Sequence, residues 1–166
     1  MTTLELKAPL SGFLMPIEQV PDPVFAAKTL GDGIALDPTS SALLAPCEGH
    51  IVHLHEANHA LTIATPDGLE ILIHVGLDTV ALRGEGFLPH VHKGDFVLTG
   101  QVLVEFDADY VARYAPSLLT MVVITNSEEV ANFGKAAGQA IAGESVIMTL
   151  NLNGEAPAVT PVSSPA

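Results

Sequence analysis

Short β-branched and leucine-rich runs, cut by Gly, Pro, Asp or Asn, make up most of the chain. This is the punctuation of an all-β sandwich or barrel. The runs that predict strands are GFLMPI (12–17), GIALDP (33–38), GHIVHLH (49–55), HALTIAT (59–65), LEILIHV (69–75), QVLVEF (101–106), LTMVVIT (119–125) and SVIMTLNL (145–152). Two segments break the pattern and predict short helices. DADYVARYA (107–115) opens on Asp residues able to cap free N–H groups, and NSEEVANFG (126–134) sets Asn126 three residues before Glu129 and closes on glycine. From residue 153 the chain becomes NGEAPAVTPVSSPA, without apolar periodicity, which predicts a domain over 1–152 followed by a flexible Ala/Pro/Ser-rich tail or linker over 153–166. No internal repeat of fixed period is present.

Pro66-Asp67-Gly68 separates HALTIAT from LEILIHV and should fold the two runs into an antiparallel hairpin. His59 stands about as far before this turn as His74 stands after it, so pairing brings both rings to the open end of the hairpin. Residues directly opposite across such a pair lie roughly 5 Å apart at Cβ, and a slip of one residue would send the rings to opposite faces.

Composition narrows the partners. The 166 residues suit one domain, and a 48% hydrophobic content is enough to build its core. Six basic against nineteen acidic residues give a formal charge of -13, which argues against nucleic acid and anionic membrane surfaces and favours a basic protein partner. The single cysteine, Cys47, excludes an internal disulfide and a cysteine-based zinc knuckle, and fits the cytoplasm. Neither a signal-peptide core nor an apolar run long enough to span a bilayer occurs, so direct membrane insertion is not expected.

A histidine between Ile73 and Val75 is ordinarily a neutral, hydrogen-bonded core residue. A second histidine at the same hairpin end widens the options. Paired imidazoles can hold a zinc ion with an open position, or one ring can carry a transferred group while the other donates a hydrogen bond to its charge. Gly76 allows a tight backbone that aims a carbonyl at Nδ1 of His74, leaving Nε2 as nucleophile or ligand. Three functions stay open on this reading: a group-transfer relay, a zinc-dependent hydrolase and a regulatory docking module.

The stretch GLEILIHVGLDTV (68–80) resembles the signature around the phosphorylated histidine of the glucose-type enzyme IIA of the bacterial phosphoenolpyruvate-dependent sugar phosphotransferase system. KAPLSGFLMPIEQVPDPVFAAKTLGDGIALDPT (7–39), LLAPCEGHI (43–51), EANHALTI (56–63), LRGEGF (82–87), GDFVLTGQVLVEFD (94–107) and TMVVITN (120–126) resemble the same family in the same order. The resemblance implies an antiparallel β-sandwich of the duplicated hybrid motif type. It implies that Nε2 of His74 accepts a phosphoryl group from the phosphocarrier HPr and passes it to a cysteine of a glucose-type enzyme IIB, with His59 stabilising the phosphate. Asp22 and Asp78 match acidic positions that face arginine on HPr, and Val24, Phe25, Leu72 and Val80 match the apolar ring of the docking surface. Ala57 departs from the family's usual threonine, and His55 and Leu72 replace aromatic positions.

The resemblance requires no cofactor, and it allows a zinc ion shared between His59, His74 and a partner. It also implies regulated transporters or metabolic enzymes as further partners. The tail resembles linkers of multiphosphoryl transfer proteins, which predicts an N-terminal domain of such a fusion serving glucose, N-acetylglucosamine or another hexose. His50, His53, His90 and His92 are expected at the surface, and Cys47 as a small buried hydrophobe.

Overall fold

The computed structural model describes residues 2–152; the expected tail, 153–166, lies outside the described residues. Numbered in chain order, the strands of the largest sheet run β13 (Gly138–Ala140), β2 (Gly12–Pro16), β3 (Asp32–Pro38), β11 (Ser117–Ile124), β7 (Glu70–Leu77), β6 (Ala60–Ala64), β5 (Gly49–Leu54) and β9 (Phe96–Val97). A three-stranded sheet sets β14 (Val146–Leu152) between β1 (Thr3–Lys7) and β12 (Val130–Lys135). Another sets β10 (Val102–Phe106) between β4 (Ala42–Leu44) and β8 (Phe87–Pro89). Every pairing is antiparallel. Among the described residues two helices complete the fold, α1 (Pro23–Ala26) and α2 (Ala108–Tyr114). Among the described residues no helix is long and apolar enough to cross a membrane.

The central strands are apolar on both faces because both faces are covered. On β7, Ile71, Ile73 and Val75 point into the main core with Leu36, Ile51 and Val122. The alternate residues, Leu72 and His74, take the opposite face. There a smaller cluster of Ile17, Val20, Phe25, Ala35, Leu77, Leu119, Met121 and Val123 packs, with Leu72 half-buried against it. Met121 of β11 stands beside His74 in register. The unbroken run LEILIHV is thus the mark of a strand inside two layers of packing, interrupted once by a polar ring.

The hairpin expected at Pro66-Asp67-Gly68 forms: β6 pairs with β7 and the Gly68 N–H donates to the Thr65 carbonyl oxygen. Asn126 clamps its base from a distant loop, donating to the Gly68 carbonyl and accepting from the Glu70 N–H, each at 2.9 Å.

The helix expected over 126–134 is not there. Residues Ser127–Glu129 make one 3₁₀ turn, and Val130–Lys135 continue as β12, paired with β14. Val130 and Phe133 are too few apolar positions to anchor a helix, and pairing with β14 satisfies the backbone that the helix would have satisfied locally. The helix expected over 107–115 forms, with the Asp107 carboxylate accepting from the Tyr110 N–H.

Candidate functional site

His74 sits near the end of β7, half-buried, where the strand meets a tight turn. Gly76 adopts φ +80°, and a Cβ there would collide with Thr79 Cγ2 and the Ser117 carbonyl oxygen, so only glycine fits. This geometry turns the Gly76 carbonyl oxygen back to within 2.9 Å of His74 Nδ1. A carbonyl only accepts, so Nδ1 carries the proton and the Nε2 lone pair is free. The turn beyond is held by the fully buried Thr79, whose hydroxyl donates to the Val75 carbonyl oxygen at 2.6 Å. Sequence reasoning had not singled out Thr79; its place one turn after the glycine is the only signal.

His59 leads into β6. In register it is Ala60, not His59, that faces His74 across the hairpin, and the His59 carbonyl oxygen instead accepts from the Val75 N–H at 2.8 Å. His59 lies just before the strand, so the two-residue alternation does not dictate where its ring points. The ring comes to 4.8 Å from that of His74, centroid to centroid, at 83°. Phe25 closes the other side, 5.2 Å from His74 and edge-on.

Burial holds His74 below the ordinary imidazole pKa. The bond to the Gly76 carbonyl and the carboxylates of Asp22 and Asp78 pull upward, and the His55 ring pulls downward. His59, only 4% exposed, is lowered to about 4 by burial first, then by His74 and His55. Both rings are therefore neutral at neutral pH, which suits one as a nucleophile and the other as a neutral donor. The two carboxylates that favour charge on His74 also border the site. Asp22 caps α1, its Oδ1 accepting from the Val24 N–H at 2.9 Å, and Asp78 precedes a 3₁₀ turn over Thr79–Leu82 in a left-handed conformation at φ 56°, its side chain making no cap bond.

The four apolar positions named with the site divide. Val24 and Val80 stand 44% and 50% exposed, Leu72 is half-buried, and Phe25 is buried, its ring serving the small core and the wall of His74 together. His50 and His53 are exposed, as are His90, which pairs with Glu105, and His92 beside Asp95. Cys47 is buried and its thiol is pushed up to about 12, chiefly by burial, so it is inert.

His55 is a member of the site whose proximity sequence spacing did not reveal. Its ring lies 4.6 Å from His59, and it helps line a cavity of about 490 Å³ with Glu56, Ala57, Val80 and Arg83. Its entry into the site follows from the tight turn joining β5 to β6, where the His55 N–H donates to the Ala60 carbonyl oxygen.

The zinc-hydrolase alternative finds no support. Among the described residues no group of three or more His, Cys, Asp or Glu side chains is arranged to hold a metal ion. His59 with His74 leaves the set short of the three protein ligands a catalytic zinc uses. Metal binding by this chain is not supported for the same reason.

Residues 4–130 match the family model of the phosphoenolpyruvate-dependent sugar phosphotransferase system, EIIA 1. A PTS system glucose-specific EIIA component of Halalkalibacterium halodurans is 48% identical over 148 residues, spanning 89% of this chain and 86% of the relative. The corresponding component of Borreliella burgdorferi is 44% identical over 137 residues, 82% of this chain and 72% of the relative. The solved structure of glucose permease IIA from Mycoplasma capricolum superposes with a TM-score of 0.86 at 34% identity, covering 90% of this chain and 96% of that one. The antiparallel sandwich is thus the architecture of this group.

Proposed function

Because this chain belongs to the EIIA 1 family of the phosphoenolpyruvate-dependent sugar phosphotransferase system and is a phosphocarrier, we propose that His74 bears the phosphoryl group and His59 stabilises it. The observation that carries this assignment is the 2.9 Å approach of the Gly76 carbonyl oxygen to His74 Nδ1, which leaves Nε2 unprotonated and free to attack.

In the first step the Nε2 lone pair of His74 forms a bond to phosphorus as the N–P bond to the histidine of phospho-HPr breaks. The Nδ1 proton of His74 stays in its bond to the Gly76 carbonyl oxygen, which stabilises the positive charge the ring gains. In the second step a cysteine thiolate of a glucose-type enzyme IIB attacks phosphorus, the Nε2–P bond breaks, and His74 returns neutral. The transition state is loose, with negative charge spread over the equatorial oxygens, so the protein contributes alignment and hydrogen-bond donors. Nδ1 of His59 is buried, which makes Nε2 the nitrogen available to donate to those oxygens.

Asp22 and Asp78 supply negative charge beside the acceptor for arginine on the partner, and Val24 and Val80 supply exposed apolar contact next to them. The relatives are named glucose-specific, which supports glucose or a related hexose as the sugar served. The single buried cysteine supports work in a reducing cytoplasm. Incubation with phosphoenolpyruvate, enzyme I and HPr tests the relay: an acid-labile phosphoryl adduct that forms only when HPr is included supports it, and none forming contradicts it.

A further inference from the structure

The turn that delivers His59 contains a third imidazole. His55 Nδ1 accepts from the Ala57 N–H at 3.0 Å, while the His55 carbonyl oxygen accepts from the Asn58 N–H at 2.8 Å. The side chain and main chain of His55 together close the turn, with Asn58 in the left-handed region at φ 64°. Because Nδ1 accepts, the ring has one orientation and its proton sits on Nε2 when neutral. That pinned ring packs 4.6 Å from His59 at 57°.

His59 itself has an unusual deficiency. Its Nδ1 is buried and has no hydrogen-bond partner, the one such side-chain atom among the described residues. Ala57, two residues earlier and buried, offers only a methyl group. A buried polar atom without a partner costs stability and, for an imidazole, leaves the tautomer and ring angle without a hydrogen bond to set them. The ring is held by packing alone, between His55 at 4.6 Å and His74 at 4.8 Å, with Phe87 farther off at 6.5 Å.

Resting on the relay reading above, we propose that His55 is a positioning residue for phosphoryl transfer: its backbone-pinned ring orients His59 in place of a hydrogen bond that Ala57 cannot supply. A phenylalanine at 55 would pack on His59 but could not accept from the Ala57 N–H, and an asparagine would accept from that N–H but present no ring to His59. Pin and ring act together only in histidine.

The test compares wild type, His55→Phe, His55→Asn and the double variant His55→Phe/Ala57→Thr, each checked for folding by its melting curve. Two readouts are taken: the rate of phosphoryl transfer from phospho-HPr at saturating donor, and the ¹⁵N shifts of the His59 ring in the free protein, which report its tautomer. The expected result is a rate loss of about tenfold in both single variants, with the donor concentration for half-saturation unchanged. The His59 ¹⁵N shifts should move toward the average of two tautomers in His55→Phe, and a threonine hydroxyl beside His59 should restore both rate and shifts in the double variant. Single variants that transfer at the wild-type rate overturn the proposal, as does a loss that Ala57→Thr leaves unrestored. If wild type itself takes up no phosphoryl group, the relay reading falls. The role in transfer then falls with it, and the ¹⁵N shifts decide alone whether His55 orients the His59 ring, which holds if they move in His55→Phe and return with Ala57→Thr and fails otherwise.

Discussion

Nδ1 of His74 lies 2.9 Å from the carbonyl oxygen of Gly76, two residues farther along the same chain segment. One hydrogen bond between near neighbours thus decides which nitrogen of the His74 ring is free. Its geometry depends on a backbone that only glycine adopts without collision.

Gly76→Ala should therefore damage both stability and chemistry. The added methyl meets Thr79 and the Ser117 carbonyl at φ +80°, for a cost of about 1–3 kcal/mol. Denaturant melts should show the loss in midpoint, and phosphoryl uptake per folded molecule should fall as the carbonyl leaves Nδ1.

Thr79→Val keeps the shape of the side chain and deletes its donor to the Val75 carbonyl. The expected cost is about 1 kcal/mol, read as a lowered melting temperature. Uptake at His74 should change far less than in Gly76→Ala, because Thr79 supports the turn without touching the ring nitrogens.

Removing charge at Asp78 or Asp22 should weaken docking rather than chemistry. Asp78→Asn and Asp22→Asn should each raise the HPr concentration for half-saturation several-fold and flatten its dependence on salt, with the rate at saturation nearly unchanged. Asparagine still caps a helix, so α1 should survive the change at Asp22. Stopped-flow transfer assays across ionic strength make the comparison.

Acid should destabilise the fold through His59. Its pKa falls from the ordinary imidazole value of 6.5 to about 4 on folding, so between those values the unfolded chain binds the extra proton. Stability contributed by the neutral ring is fully present above about 6.5 and is lost as pH falls toward 4, on the order of 3 kcal/mol over that window. His74, also lowered, adds in the same direction. Urea midpoints from pH 7 to pH 4 should drop accordingly, and His59→Gln should show a shallower slope.

Much of the fold was legible because its strands announce themselves by apolar runs between turn residues, and the hairpin by Pro66-Asp67-Gly68. What escaped lay where local and tertiary signals disagree. Residues 126–134 carry capping chemistry yet pair as β12, because β14 offers a partner for their backbone. The short strands β4, β8, β9 and β13 are two or three residues long, too brief for any period to register. At the site, equal spacing from the turn brought His59 and His74 together in the right place through a register one residue away from direct opposition. The role of Gly76 was readable from the glycine itself. The closeness of His55 was not, since it depends on how the chain doubles back between Leu54 and Ala60.

The most direct measurement is intact mass with phosphohistidine mapping after incubation with phosphoenolpyruvate, enzyme I and HPr, on wild type, His74→Gln and His59→Gln. A single acid-labile phosphoryl group on wild type, absent from His74→Gln, still accepted by His59→Gln and slowed there in onward transfer to enzyme IIB, is the predicted result. Phosphoryl uptake that survives His74→Gln, or none in the wild type, would contradict the assignment of His74 as the carrier.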